Sequence, residues 1–175
     1  MLRRKKDPLR KSFEILYSVR LLKDRVSRIQ SRLDDRASEL SERLVQLQMH
    51  GDKYLASRYA EEVANLRKLS SRLSMLMYVL DKVDLAVQHA IVRREFSSLA
   101  SELSALIKDV GKLPESRIPD LGILFADLEA SVRELTDIVI NDLPGPFYNP
   151  PTSSEVKRII EEAKATLKEK LEPVH

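Results

Sequence analysis

Between Pro8 and Gly51, and again between Gly51 and Gly111, the chain contains neither glycine nor proline. Two such unbroken stretches leave helix as the structure most of it can adopt, because those residues are the strongest helix breakers. The apolar residues set the period. Val19, Leu22, Val26, Ile29, Leu33, Ala37, Leu40, Leu44 and Leu47 advance by steps of 3, 4, 3, 4, 4, 3, 4 and 3. This is a heptad-like seam with one shift of phase between Leu33 and Ala37. A second seam runs through Tyr59, Val63, Leu66, Leu69, Leu73, Leu76, Leu80, Val83, Val87 and Ala90. Between the seams, Gly51 suits a helix C-cap and Asp52 the N-cap of the next helix. Two long seams joined by so short a turn must fold antiparallel to bury each other. The prediction is an all-α protein without a sheet: a long helical hairpin over 9–95, followed by shorter helices.

Past Arg93-Arg94-Glu95 the pattern continues through Phe96, Leu99, Leu103, Leu106 and Val110 with no breaker. Residues 96–110 therefore either prolong the second helix or fold back as their own. A further helix over 118–140 buries Leu121, Leu124, Leu128, Val132, Leu135 and Val139. The expected helical core is thus 1–140, with a leader at 1–12. A linker over 141–152 holds Pro144, Pro146, Pro150 and Pro151, which favour an extended polyproline-like strip. Thr152-Ser153-Ser154-Glu155 reads as a capping box. It opens a regulatory helix over 153–175 with Val156, Ile160, Ala163, Leu167 and Leu171 on one side.

Composition narrows the chemistry. Charged residues make up 33% and aromatics 5%, and there is no cysteine or tryptophan, which suits long exposed helices with narrow seams. His50, His89 and His175 fall in different elements, and no metal-ligand spacing, glycine-rich phosphate loop or nucleophile elbow is present. The pairs Asp34-Asp35 and Glu61-Glu62 read as solvated helix faces. The chain is read as a non-enzyme that needs no cofactor. No apolar run approaches the ~18 residues needed to span a bilayer, and the basic start lacks the apolar segment of a signal peptide.

Charge is lopsided. Residues 1–96 carry 21 Lys+Arg against 13 Asp+Glu, a net +8; residues 97–175 carry 9 against 14, a net −5. Six cations (Arg3, Arg4, Lys5, Lys6, Arg10 and Lys11) fall within nine residues, with Leu9 among them and Phe13 after them, four apart at helical spacing. That combination suits cations meeting anionic head groups while Leu9 and Phe13 dip into the interface. Each cation contributes ~1 kcal/mol near such a surface, so firm binding needs many copies in an array. Arg25, Arg28, Arg32, Arg36 and Arg43 form a basic stripe along the first helix. It is expected to meet the acidic fourth and fifth helices, within one chain or between neighbours. Leu143, Pro144, Pro146, Pro150 and Pro151 form a docking candidate, since a proline strip loses little entropy on binding.

The stretch Tyr59-Ala60-Glu61-Glu62-Val63-Ala64-Asn65-Leu66-Arg67-Lys68, with the Pro119–Glu129 segment, resembles the ESCRT-III superfamily, most nearly its archaeal cell-division (Cdv) members. The likeness covers about residues 9–140. It implies a non-enzymatic subunit that polymerises with paralogous copies on the inner face of the cell membrane and remodels or severs membrane necks at division. It further implies disassembly by a AAA-type ATPase gripping C-terminal motifs. The proline strip fits that docking role better than the last helix, which has Ala163 or Lys164 where a leucine is wanted. Alternatives are an envelope-stress relative of the same superfamily and a nucleic-acid-binding coiled coil. The latter is disfavoured, since sparse aromatics argue against stacking on single strands.

Overall fold

A computed structural model describes residues 7–141 and 154–171, all helices and the turns between them. Helix α1 spans Pro8–Met49 and α2 spans Lys53–Arg93. Pro8 sits in the first turn, where its missing N–H is no loss. Asp7 caps that turn by accepting from the Leu9 N–H at 2.9 Å. The reversal falls where the sequence places it. Gly51 has φ +79°, a left-handed backbone that glycine adopts freely, and Asp52 starts α2 by accepting from the Leu55 N–H at 3.2 Å.

Residues 96–110 fold back. Arg94 caps α2 with φ 58° and ψ 37°, the one non-glycine with positive φ among the described residues. The Glu95 N–H donates to the Ala90 carbonyl at 3.0 Å, closing the end of α2 in a Schellman-like turn. Helix α3 then spans Phe96–Val110. A 3₁₀ turn at Pro114–Arg117 leads to α4, Pro119–Asn141. A Cβ on Gly122 would stand 3.1 Å from the Ser116 carbonyl oxygen, so the glycine lets α4 start hard against that turn. Helix α5 spans Glu155–Thr166 and continues as a π turn, Leu167–Leu171. Its N-cap is Ser154, accepting from the Lys157 N–H at 3.3 Å. The capping box placed the cap at Thr152, which lies outside the described residues.

Helix α4 lies along α1 and α5 along α2, both antiparallel to their partners, while α3 fills the space between α4 and α5. The seams point where their spacing predicts. Ile15, Val19, Leu22 and Val26 of α1 meet Leu73, Leu76, Leu80, Val83 and Val87 of α2, with Leu99, Leu103, Leu128, Leu135 and Ile160 above them. Each such fully buried side chain contributes about 1.5–3 kcal/mol. On α4 the buried residues are Leu121, Phe125, Leu128, Val132, Leu135 and Ile138. Leu124 and Val139, expected to be buried, are half-buried, because α4 packs on both α1 and α3 and turns Phe125 and Ile138 inward instead.

The common core ends near Val26 and Leu73. Beyond it the hairpin continues as two helices alone for about 30 Å, taking 1.5 Å per residue. There Ala37, Leu40, Ala56 and Val63 are buried, while Leu44, Leu47, Leu66 and Leu69 stay half-buried because no third helix covers them. A polar layer separates the two regions. Gln30 donates to the Ser70 carbonyl at 3.2 Å and to the Ser74 hydroxyl, and the Ser70 hydroxyl donates to Asp34 at 2.6 Å. It sits beside the Leu33–Ala37 phase shift and fixes the register of α1 on α2.

Candidate membrane and assembly surfaces

Arg3, Arg4, Lys5 and Lys6 lie outside the described residues. The leader residues that follow form the first two turns of α1 and divide into two groups. Arg10 is exposed, 4.0 Å from Glu14, and Phe13 is 53% exposed; both face solvent. Leu9 is half-buried. Lys11 points the other way. It binds Glu14 at 2.5 Å and also Glu134 of α4. Burial alone would lower its pKa, but hydrogen bonds to Glu134 and Glu14 outweigh burial and hold the ammonium above its usual range. Lys11 thus fastens α4 to α1. Tyr17, one turn after Phe13, is 71% exposed, and Val92 on the last turn of α2 is 81% exposed. Both lie at the same end of the hairpin as Phe13, and Val92 directly precedes the exposed Arg93 and Arg94. Sequence reasoning missed these two; the i, i+4 step from Phe13 was the available signal for Tyr17.

The basic stripe pairs within its own helix. Arg28 meets Asp24 at 3.1 Å, Arg43 meets Glu39 at 3.1 Å and Arg36 meets Glu39 at 3.6 Å. Arg32 is exposed, and the Arg25 Nε is buried without a hydrogen-bond partner. Within one chain, then, the expected meeting of this stripe with α4 and α5 is replaced by other pairs. The reason is placement: α5 packs on α2 and α3 rather than on α1, and the ion pair that ties α4 to α1 is at Lys11, at the opposite end of α1 from Arg36 and Arg43.

Four polar contacts hold α5 instead. Arg72 of α2 donates to both Glu115 carboxylate oxygens and, at 2.9 Å, to the Leu171 carbonyl at the end of α5. Glu115 is 2% exposed, so Arg72 is its necessary counter-charge. Lys82 meets Glu162 at 2.7 Å, Lys164 meets Glu102 at 3.4 Å, and the Ser154 hydroxyl donates to Glu95 at 3.1 Å. Between them Val156, Ile159, Ile160, Ala163, Leu167 and Leu171 are buried. The apolar face of the last helix is therefore covered by α2 and α3. Leu143, Pro144, Pro146, Pro150 and Pro151 lie outside the described residues.

On the flank of the hairpin an open cleft of about 500 Å³ is lined by Arg20, Lys23, Asp81 and Asp84. Asp84 is 5% exposed and receives bonds from Arg20 at 3.3 Å and Lys23 at 3.2 Å, while Lys23 also reaches Asp81 at 2.8 Å. Burial favours the neutral acid, but hydrogen bonds from Gln88, Arg20 and Lys23 prevail and hold the carboxyl below its usual range. This is a clasp between α1 and α2 whose charges satisfy one another. Among the described residues no helix is long and apolar enough to cross a membrane.

No family model matches the chain, and no solved structure matches it. It is 26% identical over 168 residues to Cell division protein B1 of Sulfolobus acidocaldarius, a match covering 95% of this chain and 78% of that protein. It is 25% identical over 154 residues to Cell division protein B of the same organism, covering 86% of this chain and 58% of that protein. These relatives bear out the likeness to archaeal cell-division proteins of the ESCRT-III type, and the all-helical hairpin architecture agrees with it.

Proposed function

We propose that this chain, a relative of archaeal cell-division proteins, is a non-enzymatic subunit that polymerises on the inner face of the cell membrane and remodels or severs membrane necks at division. The observation that carries the reading is the seat of α5. A short helix, reached through a proline-rich segment, covers an apolar groove on α2 and α3 and is pinned by Arg72, Lys82 and Glu102. Such a helix is a removable cover. With it in place the subunit is closed. With it displaced, the groove is free for sister copies, and residues 96–110 run on from α2 as one rod.

The end of the hairpin that carries Phe13, Tyr17, Arg10 and Arg93 is the membrane side, with the 3–6 cations adding to it. Anionic lipid and paralogous subunits are the partners. A AAA-type ATPase that takes the 143–151 proline strip recycles the polymer. Two of the matched relatives are a B1 and a B protein of one organism, which supports co-assembly among paralogues.

Removal of residues 141–175 should promote assembly, seen by electron microscopy and by sedimentation with anionic liposomes. A truncated chain that stays monomeric and off anionic vesicles at every salt concentration would overturn the reading.

A further inference from the structure

Helix α2 carries a second stripe. Positions 54, 57, 61, 64, 68, 71, 75 and 78 advance by alternating steps of 3 and 4, the spacing of a coiled-coil seam. Yet all are exposed except the half-buried Met75. Only Met75 packs against the core; the rest of this seam lies on a solvated flank with no partner helix among the described residues.

Its composition is balanced about Leu66. Tyr54 and Tyr78 stand twelve positions to either side and are 70% and 42% exposed. Ser57, Ala64 and Ser71 between them are small enough to let a second helix approach. Glu61 and Lys68 are the stripe's charges, and among the described residues neither makes an ion pair within the chain.

We infer that two copies of this chain pair their α2 helices antiparallel along this stripe, about a two-fold axis at Leu66. In that register Tyr54 of one copy lies against Tyr78 of the other, at both ends of the contact. Glu61 of each copy lies within one helical turn of Lys68 of the other, so the charges are answered twice. A parallel pairing would set Glu61 on Glu61 and Lys68 on Lys68, and like charges at such spacing repel. Charge complementarity therefore selects the antiparallel form, and the contact is isologous.

The stripe is about 36 Å long and a helix about 10 Å wide, so each copy covers on the order of 350 Å². That is under half of the ~800 Å² per partner of a standard stable interface. One such contact is weak. It becomes firm where neighbours in an array hold both copies in place. The inference rests on the self-assembling reading above and names one of its contacts.

The chain has no cysteine, which makes the test direct. Tyr54→Cys and Tyr78→Cys are prepared as separate proteins, then mixed under mild oxidation, at high concentration in solution and on anionic vesicles. A disulfide needs Cα atoms within roughly 7 Å. The mixture should cross-link at least tenfold more than either variant alone, since like positions stand about 36 Å apart. Adding Glu61→Lys to both should reduce the cross-link severalfold, and adding Lys68→Glu as well should restore it; unchanged circular dichroism shows the fold intact. Equal cross-linking of the single variants, or none in the mixture while wild-type filaments form on vesicles, overturns the pairing and leaves the membrane reading standing. A mixed cross-link in solution without vesicle binding supports the pairing and removes the membrane reading.

Discussion

Arg94→Gly should hold the chain closed. In the closed form Arg94 has φ 58°, a left-handed backbone that costs an L-residue about 1–2 kcal/mol and glycine almost nothing. In the proposed open form, with α2 straightened into α3, position 94 lies inside one helix of residues 53–110, a span with no glycine or proline. There glycine is about 1 kcal/mol less favourable than arginine. Both effects favour closure, and together about 2 kcal/mol lowers the open-to-closed ratio roughly 30-fold. Arg94→Ala is the control. It keeps the left-handed cost and changes helix propensity by only about 0.2 kcal/mol, so its ratio stays within about twofold of wild type. Spin labels at Leu85 and Ala105 report the change, because straightening sets them about 30 Å apart along one rod. The protein concentration needed to coat anionic vesicles should rise in parallel for Arg94→Gly. An unchanged threshold and label distance for Arg94→Gly, or an equal effect from Arg94→Ala, would refute the reasoning.

Other outcomes follow from particular contacts. Arg72→Ala leaves the buried Glu115 without its counter-charge and should cost about 3 kcal/mol in urea unfolding. Arg72→Lys should recover only part of that, since one ammonium nitrogen cannot reproduce the planar fork that meets the two carboxylate oxygens from separate nitrogens and also reaches the Leu171 carbonyl. Ile160→Ala, at a site with 0% exposure, should cost about 2–4 kcal/mol locally. It should raise hydrogen exchange over 154–171 while α1 and α2 stay protected. The Asp84 carboxyl is held below its usual range when folded, so its contribution is full above the unfolded value near pH 4 and fades as pH falls through the lower folded value. The wild-type urea midpoint should therefore drop more steeply in acid than that of Asp84→Asn. Tyr17→Asp with Val92→Asp should weaken sedimentation with anionic vesicles several-fold without moving the unfolding midpoint.

The hairpin was legible because its information is local. Val19 to Leu47 and Tyr59 to Ala90 carry their period in the chain itself, and Gly51 with Asp52 marks the reversal. The end of α2 was not. Arginine is an ordinary helix former, and Arg94 takes the left-handed conformation because α3 has its own apolar stripe, Leu99, Leu103 and Leu106, to bury on the bundle. That is a tertiary demand with no local mark. The burial of Phe125 and Ile138 in place of Leu124 and Val139 has the same origin, a helix packed against two neighbours. Charge was the least legible feature. Lys11, Arg72 and Lys82 look no different in sequence from the exposed Arg32. Only long-range packing tells which cations are neutralised, and it left Tyr17 and Val92 outward where an apolar residue reads equally well as core.

The polar layer of Gln30, Asp34, Ser70 and Ser74 has a mechanical consequence. On one side of it lies a five-helix block, on the other a two-helix arm whose leucines are only half-covered. Bending stiffness rises steeply with the thickness of the packed section, so an imposed curvature concentrates in the arm. In the closed subunit the arm can flex while the block keeps its shape.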